Sequence, residues 1–166
     1  VIANDDTTGS GIMFFIDEAD MRAALAHPLV MLGTDSAGMA PDSGQPTAGV
    51  HPRAWGSAAR ILGRYVRDEP VITLEDAVRK MTSLPAQRMR LWDRGVVRPG
   101  AFADLAVFDP ATIRDRATFQ DPRQYAEGVR YVAINGQLVV DDGHITTARP
   151  GRGLRGPGYR ASRPPR

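Results

Sequence analysis

The stretch LVMLGTDSAG, Leu29–Gly38, decides how the fold of this chain is interpreted. Its first four residues, Leu29–Leu32, form a continuous apolar run, which is typical of a strand buried on both faces of a parallel sheet. A glycine and a threonine follow, and then Asp35, so this carboxylate stands at the predicted strand's C-terminal end. Barrel enzymes place catalytic acids and metal ligands there. Asp35 is therefore the first candidate site residue, although aspartate is also a common turn former.

Helices are predicted on both sides of this strand. Asp17 is a typical N-cap for a short helix that ends at His27, because the residue before Pro28 avoids helical angles. A longer helix is predicted from about Arg53 to Arg67, where apolar residues recur at helical spacing. Two more are predicted to begin at Thr73 and at Ser83, each taken as the capping residue, with Pro85 in the first turn of the last one.

The pattern becomes that of β-structure after Gly95. The segments ADLAVFD, residues 103–109, and VRYVAINGQLVVDDG, residues 129–143, are rich in strand-forming residues. The pair Asn135-Gly136 between two apolar runs is the strongest short-range signal for a hairpin. The chain is thus predicted to divide near Leu91 into an α/β part and a smaller β-rich part.

Composition restricts the class of protein. The chain has 166 residues, 42% of them hydrophobic, 24% charged and none of them cysteine, so a buried core is expected without disulfides or thiolate metal sites. No apolar run approaches the roughly 20 residues of a membrane span, and we predict a cytoplasmic protein without a membrane partner. Six arginines and no acid lie in Arg149–Arg166. The segment lacks a recognition helix and has no interleaved aromatic residue beyond Tyr159, so no nucleic-acid partner is predicted.

Three more candidate residues lie on or beside the loop that follows Asp35. Ser36 begins this loop, and His51 and Arg53 lie just after it. His51 can bind metal, contact substrate or shuttle protons, and it can equally form a hydrogen bond with the backbone at the start of the helix. Arg53 can hold a carboxylate in bidentate fashion. His27 and His144 are interpreted as local hydrogen-bonding residues, and no phosphate-binding loop, GxSxG elbow or HExxH pair occurs.

Longer blocks resemble one enzyme family. Six blocks closely resemble the D-aminoacylases. They are GRYVR and LEDAVRKMTSLPA within residues 63–86, RPGAFADLAVFDP at residues 98–110, LVMLGTDSAG, HPRAWG and YVAINGQLVV. These are the N-acyl-D-amino-acid deacylases of the amidohydrolase superfamily. The resemblance extends from about Ile12 to Leu154, which is nearly the whole chain.

The resemblance implies a domain organisation. Residues 1–91 are expected to be the last strand-helix units of a (β/α)₈ TIM barrel, an α/β fold. Residues 92–154 are expected to be part of a small β-sandwich, and residues 155–166 a basic tail rich in proline, glycine and arginine. On this basis the chain is expected to be the C-terminal portion of a deacylase.

The resemblance also implies a chemistry. Asp35 matches the family's aspartate after the last barrel strand, a metal ligand and general base. Zinc polarises the amide carbonyl and activates a water, and the carboxylate passes that water's proton to the leaving amine. The substrate is then a small N-acyl-D-amino acid, which Ser36, His51 and Arg53 are candidates to select.

The departure from the family concerns the zinc ligands. The family also uses a His-x-His pair, a bridging cysteine and two later barrel histidines, whereas this chain has three histidines and no cysteine. A zinc site needs at least three protein ligands. We therefore expect this chain to be inactive by itself, with the remaining ligands on a missing N-terminal barrel portion or a companion chain.

Two alternatives stay open. The first is an amidohydrolase that acts on cyclic amides, as hydantoinases and dihydropyrimidinases do. The second is a non-catalytic assembly module whose β-rich half and basic tail bind a partner.

Overall fold

The computed structural model describes Ile12, residues 14–36, Gly38, residues 50–156 and residues 158–159. These residues form a mixed α/β structure with a four-stranded antiparallel sheet. They cluster into two compact units. The first contains the described residues up to 77 together with 110–128, and the second contains 78–109 and the described residues from 129 onward.

Helix α1, Glu18–Ala26, begins and ends where the sequence predicts. Asp17 is its N-cap, and the Asp17 carboxylate accepts a hydrogen bond from the backbone N–H of Ala19 at 2.7 Å. His27 is the C-cap in an extended conformation, as expected for a residue that precedes proline. Both predicted ends are confirmed.

The strand predicted at Leu29–Leu32 is not formed, so that prediction was wrong for this structure. A turn occupies residues 28–29, and residues 30–36 have no regular secondary structure. Leu29 is 76% exposed rather than buried. A parallel strand exists only when a neighbouring strand takes up its backbone hydrogen bonds, and none of the described residues pairs with this segment.

The long helix of the first unit has two parts. It begins as α2, Arg53–Arg60, and continues as a π-helical segment, Ile61–Asp68, which confirms the predicted extent. Gly63 lies against the chain at Ile113, where an added Cβ would be 2.6 Å from the carbonyl oxygen. The buried apolar side chains of this unit are Val50, Ala59, Ile61, Leu62, Tyr65, Ala77, Ile113 and Ala117.

Two shorter helices follow, α3, Leu74–Met81, and α4, Ser83–Arg88. Thr73 caps α3 as predicted, because its hydroxyl accepts a hydrogen bond from the backbone N–H of Asp76 at 3.2 Å. The sequence predicts Ser83 as the cap of α4, but the N-cap is Thr82, which makes no side-chain capping hydrogen bond. The Thr82 hydroxyl instead donates to the carbonyl of Val78 at 2.7 Å.

The sheet lies in the second unit and confirms the β-rich half. Its four strands pair antiparallel in chain order. They are β1, Leu105–Phe108, β2, Val129–Ile134, β3, Gln137–Asp141, and β4, His144–Ile145. Asn135 and Gly136 join β2 to β3 with φ angles of +48° and +80°. Two positive φ angles define the type I′ hairpin turn that this residue pair favours.

Side chains anchor this hairpin turn. Arg94 donates from Nη2 to Asn135 Oδ1 at 2.8 Å and lies over the ring of Phe102, with 4.1 Å between its guanidinium carbon and the ring centroid. Asn135 Nδ2 donates to the carbonyl of Pro150 at 2.7 Å. The Asn135 backbone N–H donates to Asp104 Oδ1, also at 2.7 Å. A locally specified turn is thus fixed by contacts with three separate parts of the unit.

In the described part of the chain, no helix is both long and apolar enough to span a bilayer. The predicted tail, residues 155–166, lies mostly outside the described residues.

Candidate functional site

Asp35 stands at the end of the irregular segment that follows α1. Its backbone φ is +46°, in the left-handed region that few residues other than glycine adopt and that aspartate tolerates better than most. Its carboxylate is 92% exposed. The carboxylate is therefore exposed to solvent, and the described residues that precede it form no strand.

Arg53 is the direct partner of this carboxylate. Arg53 Nη2 lies 3.0 Å from Asp35 Oδ2, and the Arg53 side chain is 43% exposed. An exposed ion pair of this kind contributes at most about 1 kcal/mol of stability, so the guanidinium can exchange its partner for another anion. Two of the predicted site residues are thus in contact.

His51 joins this pair through the backbone. Its Nδ1 accepts a hydrogen bond from the backbone N–H of Arg53 at 3.0 Å, at the start of α2. Burial lowers the pKa of His51, and the positive charge of Arg53 lowers it further. The ring therefore favours the neutral form, and with Nδ1 used as an acceptor its proton lies on Nε2. Of the roles open to His51 from sequence, the backbone contact is the one observed.

Sequence reasoning missed the aromatic residues that hold the His51 ring. Phe119 contacts it edge-on, with 5.0 Å between ring centroids, and Phe14 packs against Phe119 at 4.8 Å. Phe119 lies far along the chain from His51, and no local pattern links the two. Only the folded chain brings them together.

Ser36 directly follows Asp35 and is exposed. Most of the loop predicted for residues 36–49 lies outside the described residues, which resume at Val50. The candidate site is thus defined by Asp35, His51 and Arg53, with Ser36 as its neighbour in the chain.

Among the described residues, no group of three or more His, Cys, Asp and Glu side chains is arranged to hold a metal ion. Asp35 is one carboxylate, and the neutral His51 tautomer has no free lone pair to offer a metal. The residues described here therefore do not form a zinc site by themselves, since such sites use three or four protein ligands.

The site contains a base-type carboxylate, a guanidinium and a neutral imidazole within one small region. A carboxylate can accept a proton, a guanidinium can bind an anion, and an imidazole with its proton on Nε2 can donate a hydrogen bond. Such a set suits a reaction in which an anionic substrate is held while a proton is moved.

Known proteins match this chain over most of its length. The profile of the amidohydrolase family matches residues 5–140. The N-acyl-D-glutamate deacylase of Alcaligenes xylosoxydans xylosoxydans is 44% identical over 144 residues, which are 87% of this chain and 28% of that enzyme. The chain thus spans about 28% of the length of this curated relative.

Solved structures agree with the sequence comparison. A D-aminoacylase, solved in work on the role of its binuclear metal centre, matches with a TM-score of 0.71 and 43% identity, covering 80% of this chain and 27% of its own. The N-acyl-D-glutamate deacylase of Bordetella bronchiseptica matches with a TM-score of 0.66 and 42% identity, over 78% of this chain and 27% of its own. That structure contains zinc and a phosphonate that mimics the tetrahedral intermediate.

Proposed function

The chain belongs to the D-aminoacylase and N-acyl-D-amino-acid deacylase family of the amidohydrolases, and we propose that it contributes the proton-transferring carboxylate of a deacylase active site. The reaction is hydrolysis of the amide bond of an N-acyl-D-amino acid. Its products are a carboxylate and a free D-amino acid.

The ion pair between Asp35 and Arg53 is the observation that supports this proposal most directly. Its 3.0 Å distance places a candidate base beside a guanidinium, the side chain best suited to bind a carboxylate. An N-acyl amino acid carries a free carboxylate close to its amide bond. A site for this substrate class therefore needs a base and a carboxylate-binding cation within a few ångströms of each other.

Asp35 is the general base in this proposal. Its carboxylate accepts a proton from the attacking water as the new C–O bond forms. It then gives that proton to the amide nitrogen, so that the C–N bond breaks and the amine leaves. Proton transfer by a positioned side chain typically contributes roughly 10²- to 10⁴-fold to the rate.

The other three residues select the substrate. Arg53 exchanges Asp35 for the free carboxylate of the substrate, which is possible because the pair is exposed. His51 positions Arg53 through its backbone contact and has the Nε2–H available as a donor. Ser36 offers a hydroxyl next to the base.

Zinc is proposed as the metal of the complete enzyme, with Asp35 as one ligand. The related Bordetella bronchiseptica structure contains zinc. Because the described residues do not form a zinc site, the other ligands are proposed to lie outside them, on a further barrel portion or a companion chain.

The exposed apolar surface of the first unit supports this view. Phe14, Phe15 and Ile16, which are consecutive in the chain, and Leu29, which lies in the segment that leads to Asp35, are all more than seven-tenths exposed. Groups of exposed apolar side chains are typical of contact surfaces. We propose that residues 1–91 belong to a TIM barrel and residues 92–154 to a β-sandwich. The chain by itself is then inactive.

The test is hydrolysis by the complete zinc-loaded protein that contains these residues. N-acetyl-D-amino acids are expected to be substrates, whereas their L-enantiomers and hydantoin are not. Arg53→Gln should raise KM far more than it lowers kcat. Arg88→Gln, which removes an exposed arginine elsewhere, is the matched control and should change neither. Turnover of hydantoin without turnover of N-acetyl-D-amino acids would support the cyclic-amide alternative instead.

A further inference from the structure

The second unit contains a cleft that none of the proposed site residues lines. Its volume is about 620 Å³, within the range of roughly 300–1,000 Å³ that is usual for small-molecule sites. Its lining includes the side chains of Arg90, Trp92, Asp93, Arg98, Pro99 and Arg155.

Arg90 occupies a position in the backbone that normally belongs to glycine. It follows α4 with a φ of +58°, and the backbone N–H of Leu91 donates to the carbonyl of Ala86 at 2.8 Å. This is the hydrogen bond of a Schellman motif, whose left-handed residue is usually glycine because a Cβ is unfavourable there. Within the described part of the chain the Arg90 guanidinium has no hydrogen bond or ion pair. Local folding therefore gives no reason for an arginine at this position.

The other cationic groups of the cleft are held in place. The Arg98 guanidinium donates to the carbonyl of Trp92, which fixes its position beside that residue. The Arg155 guanidinium carbon lies 4.4 Å from the centroid of the Tyr159 ring. Trp92 itself is 65% exposed. The cleft thus combines ordered positive charge with an accessible aromatic surface.

We propose that this cleft binds a small phosphomonoester whose planar body lies on Trp92. Three guanidinium groups and one carboxylate leave a net charge of about +2 in the cleft, which matches the charge of roughly −1.5 to −2 of a phosphomonoester near neutral pH. Guanidinium groups bind phosphate oxygens in bidentate fashion, and a planar ring stacks on an exposed indole. Arg90 then has a role that accounts for its unfavourable backbone.

Fluorescence of Trp92 in the 166-residue chain tests the proposal. Trp55 is first replaced by phenylalanine so that Trp92 is the remaining indole; Trp55 Nε1 is buried without a hydrogen-bond partner, so its removal breaks no hydrogen bond. Phenyl phosphate, inorganic phosphate and phenol are then titrated separately. Saturable quenching is expected for phenyl phosphate, with at least fivefold weaker binding of inorganic phosphate and none of phenol.

Variants distinguish specific binding of phenyl phosphate in the cleft from general attraction to a basic surface. Arg90→Gly keeps the backbone conformation, and Arg98→Gln removes the second charge. Each is expected to weaken phenyl phosphate binding by about tenfold, as is typical for the loss of a hydrogen bond between charged groups. Arg88→Gln removes the same charge two residues from Arg90 but outside the cleft, and it should change binding less than twofold.

The proposal is overturned if phenyl phosphate does not saturate, or if Arg88→Gln weakens binding as much as Arg90→Gly. It is also overturned if phenol binds as well as phenyl phosphate, since the phosphate then contributes nothing. Tighter binding of a short single-stranded DNA, lost steeply with added salt, would assign the cleft to nucleic acid and equally contradict it.

Discussion

Nδ1 of His51 accepts a hydrogen bond from the backbone N–H of Arg53, the first residue of α2, at 3.0 Å. The guanidinium of the same arginine contacts the carboxylate of Asp35. Arg53 thus links the neutral imidazole of His51, through its backbone, to the carboxylate of Asp35, through its guanidinium. The position of Arg53 depends on His51, and its charge lies next to Asp35.

The pH dependence of stability tests the state of His51. Burial, and then the charge of Arg53, lowers its pKa below the ordinary value of 6.5. Because the unfolded chain then binds the proton at higher pH than the folded chain, stability is at its full value above pH 6.5 and falls as the pH drops through the folded pKa. His51→Ala should remove this slope and lower the free energy of unfolding by about 1 kcal/mol at pH 8.

Denaturant unfolding between pH 5 and 8 measures both effects. His144→Gln removes an exposed histidine and is the control, which should keep the slope. A free energy of unfolding that rises as the pH falls below 6.5 would show that the folded state prefers charged His51.

A second pH effect is expected at the end of the π-helical segment. The hydrogen bond from Arg22, supported by one from Arg64, holds the pKa of Glu69 below its ordinary value of 4.5. The contribution of this carboxylate to the free energy of unfolding is therefore complete above pH 4.5, and it is lost as the pH falls through the lowered pKa. Glu69→Gln should lower the midpoint of urea unfolding at pH 7 and reduce the further loss on acidification.

Arg22→Gln provides the comparison, since it removes the other half of the same pair. The double variant should lose less stability than the sum of the two single variants. Strict additivity at pH 7 would mean that Arg22 and Glu69 are not coupled.

Arg90→Gly should stabilise the chain. A left-handed residue with a Cβ costs about 1 kcal/mol relative to glycine, and Arg90 has a φ of +58°. Asn135 has a comparable φ of +48°, but its side chain bonds to Arg94 and to the carbonyl of Pro150. Asn135→Gly should therefore lower the free energy of unfolding. Thermal unfolding distinguishes the two, and destabilisation by Arg90→Gly would show that its side chain makes a structural contact.

Gly63→Ala should be strongly destabilising. The new Cβ would lie 2.6 Å from the carbonyl oxygen of Ile113, so the helix or the facing chain must shift. Overpacking of this kind costs roughly 1–3 kcal/mol. Gly33→Ala is the control, because nothing lies within 4 Å of its Cβ position. A Gly63→Ala variant as stable as the parent in chemical denaturation would contradict the observed packing of Gly63.

Features fixed by neighbouring residues were predictable from sequence. The Asp17 and Thr73 caps depend on side chains that reach backbone groups two or three residues away. The Asn135-Gly136 turn depends on two residues that accept positive φ angles. Each of these caps and turns is determined by residues that lie close together in the chain, and each prediction is confirmed.

Features that depend on distant partners were not predictable. The apolar run Leu29–Leu32 has the composition of a buried strand, but no described strand pairs with it. The contact of Phe119 with His51 joins segments that are far apart in the chain, and no periodic pattern in the sequence predicts it. The sequence predicts Arg53 only as a ligand for substrate, whereas the structure pairs it with Asp35, because folding brings the two side chains together.

The catalytic effect of Asp35→Asn in the complete zinc-loaded protein measures whether Asp35 is the general base. The amide cannot accept the proton of the attacking water, so kcat for an N-acetyl-D-amino acid should fall by roughly 10²- to 10⁴-fold. The matched variant Asp141→Asn, which alters an exposed strand-end carboxylate, should retain full activity. A kcat for Asp35→Asn within twofold of the parent would contradict the assignment of Asp35 as the general base.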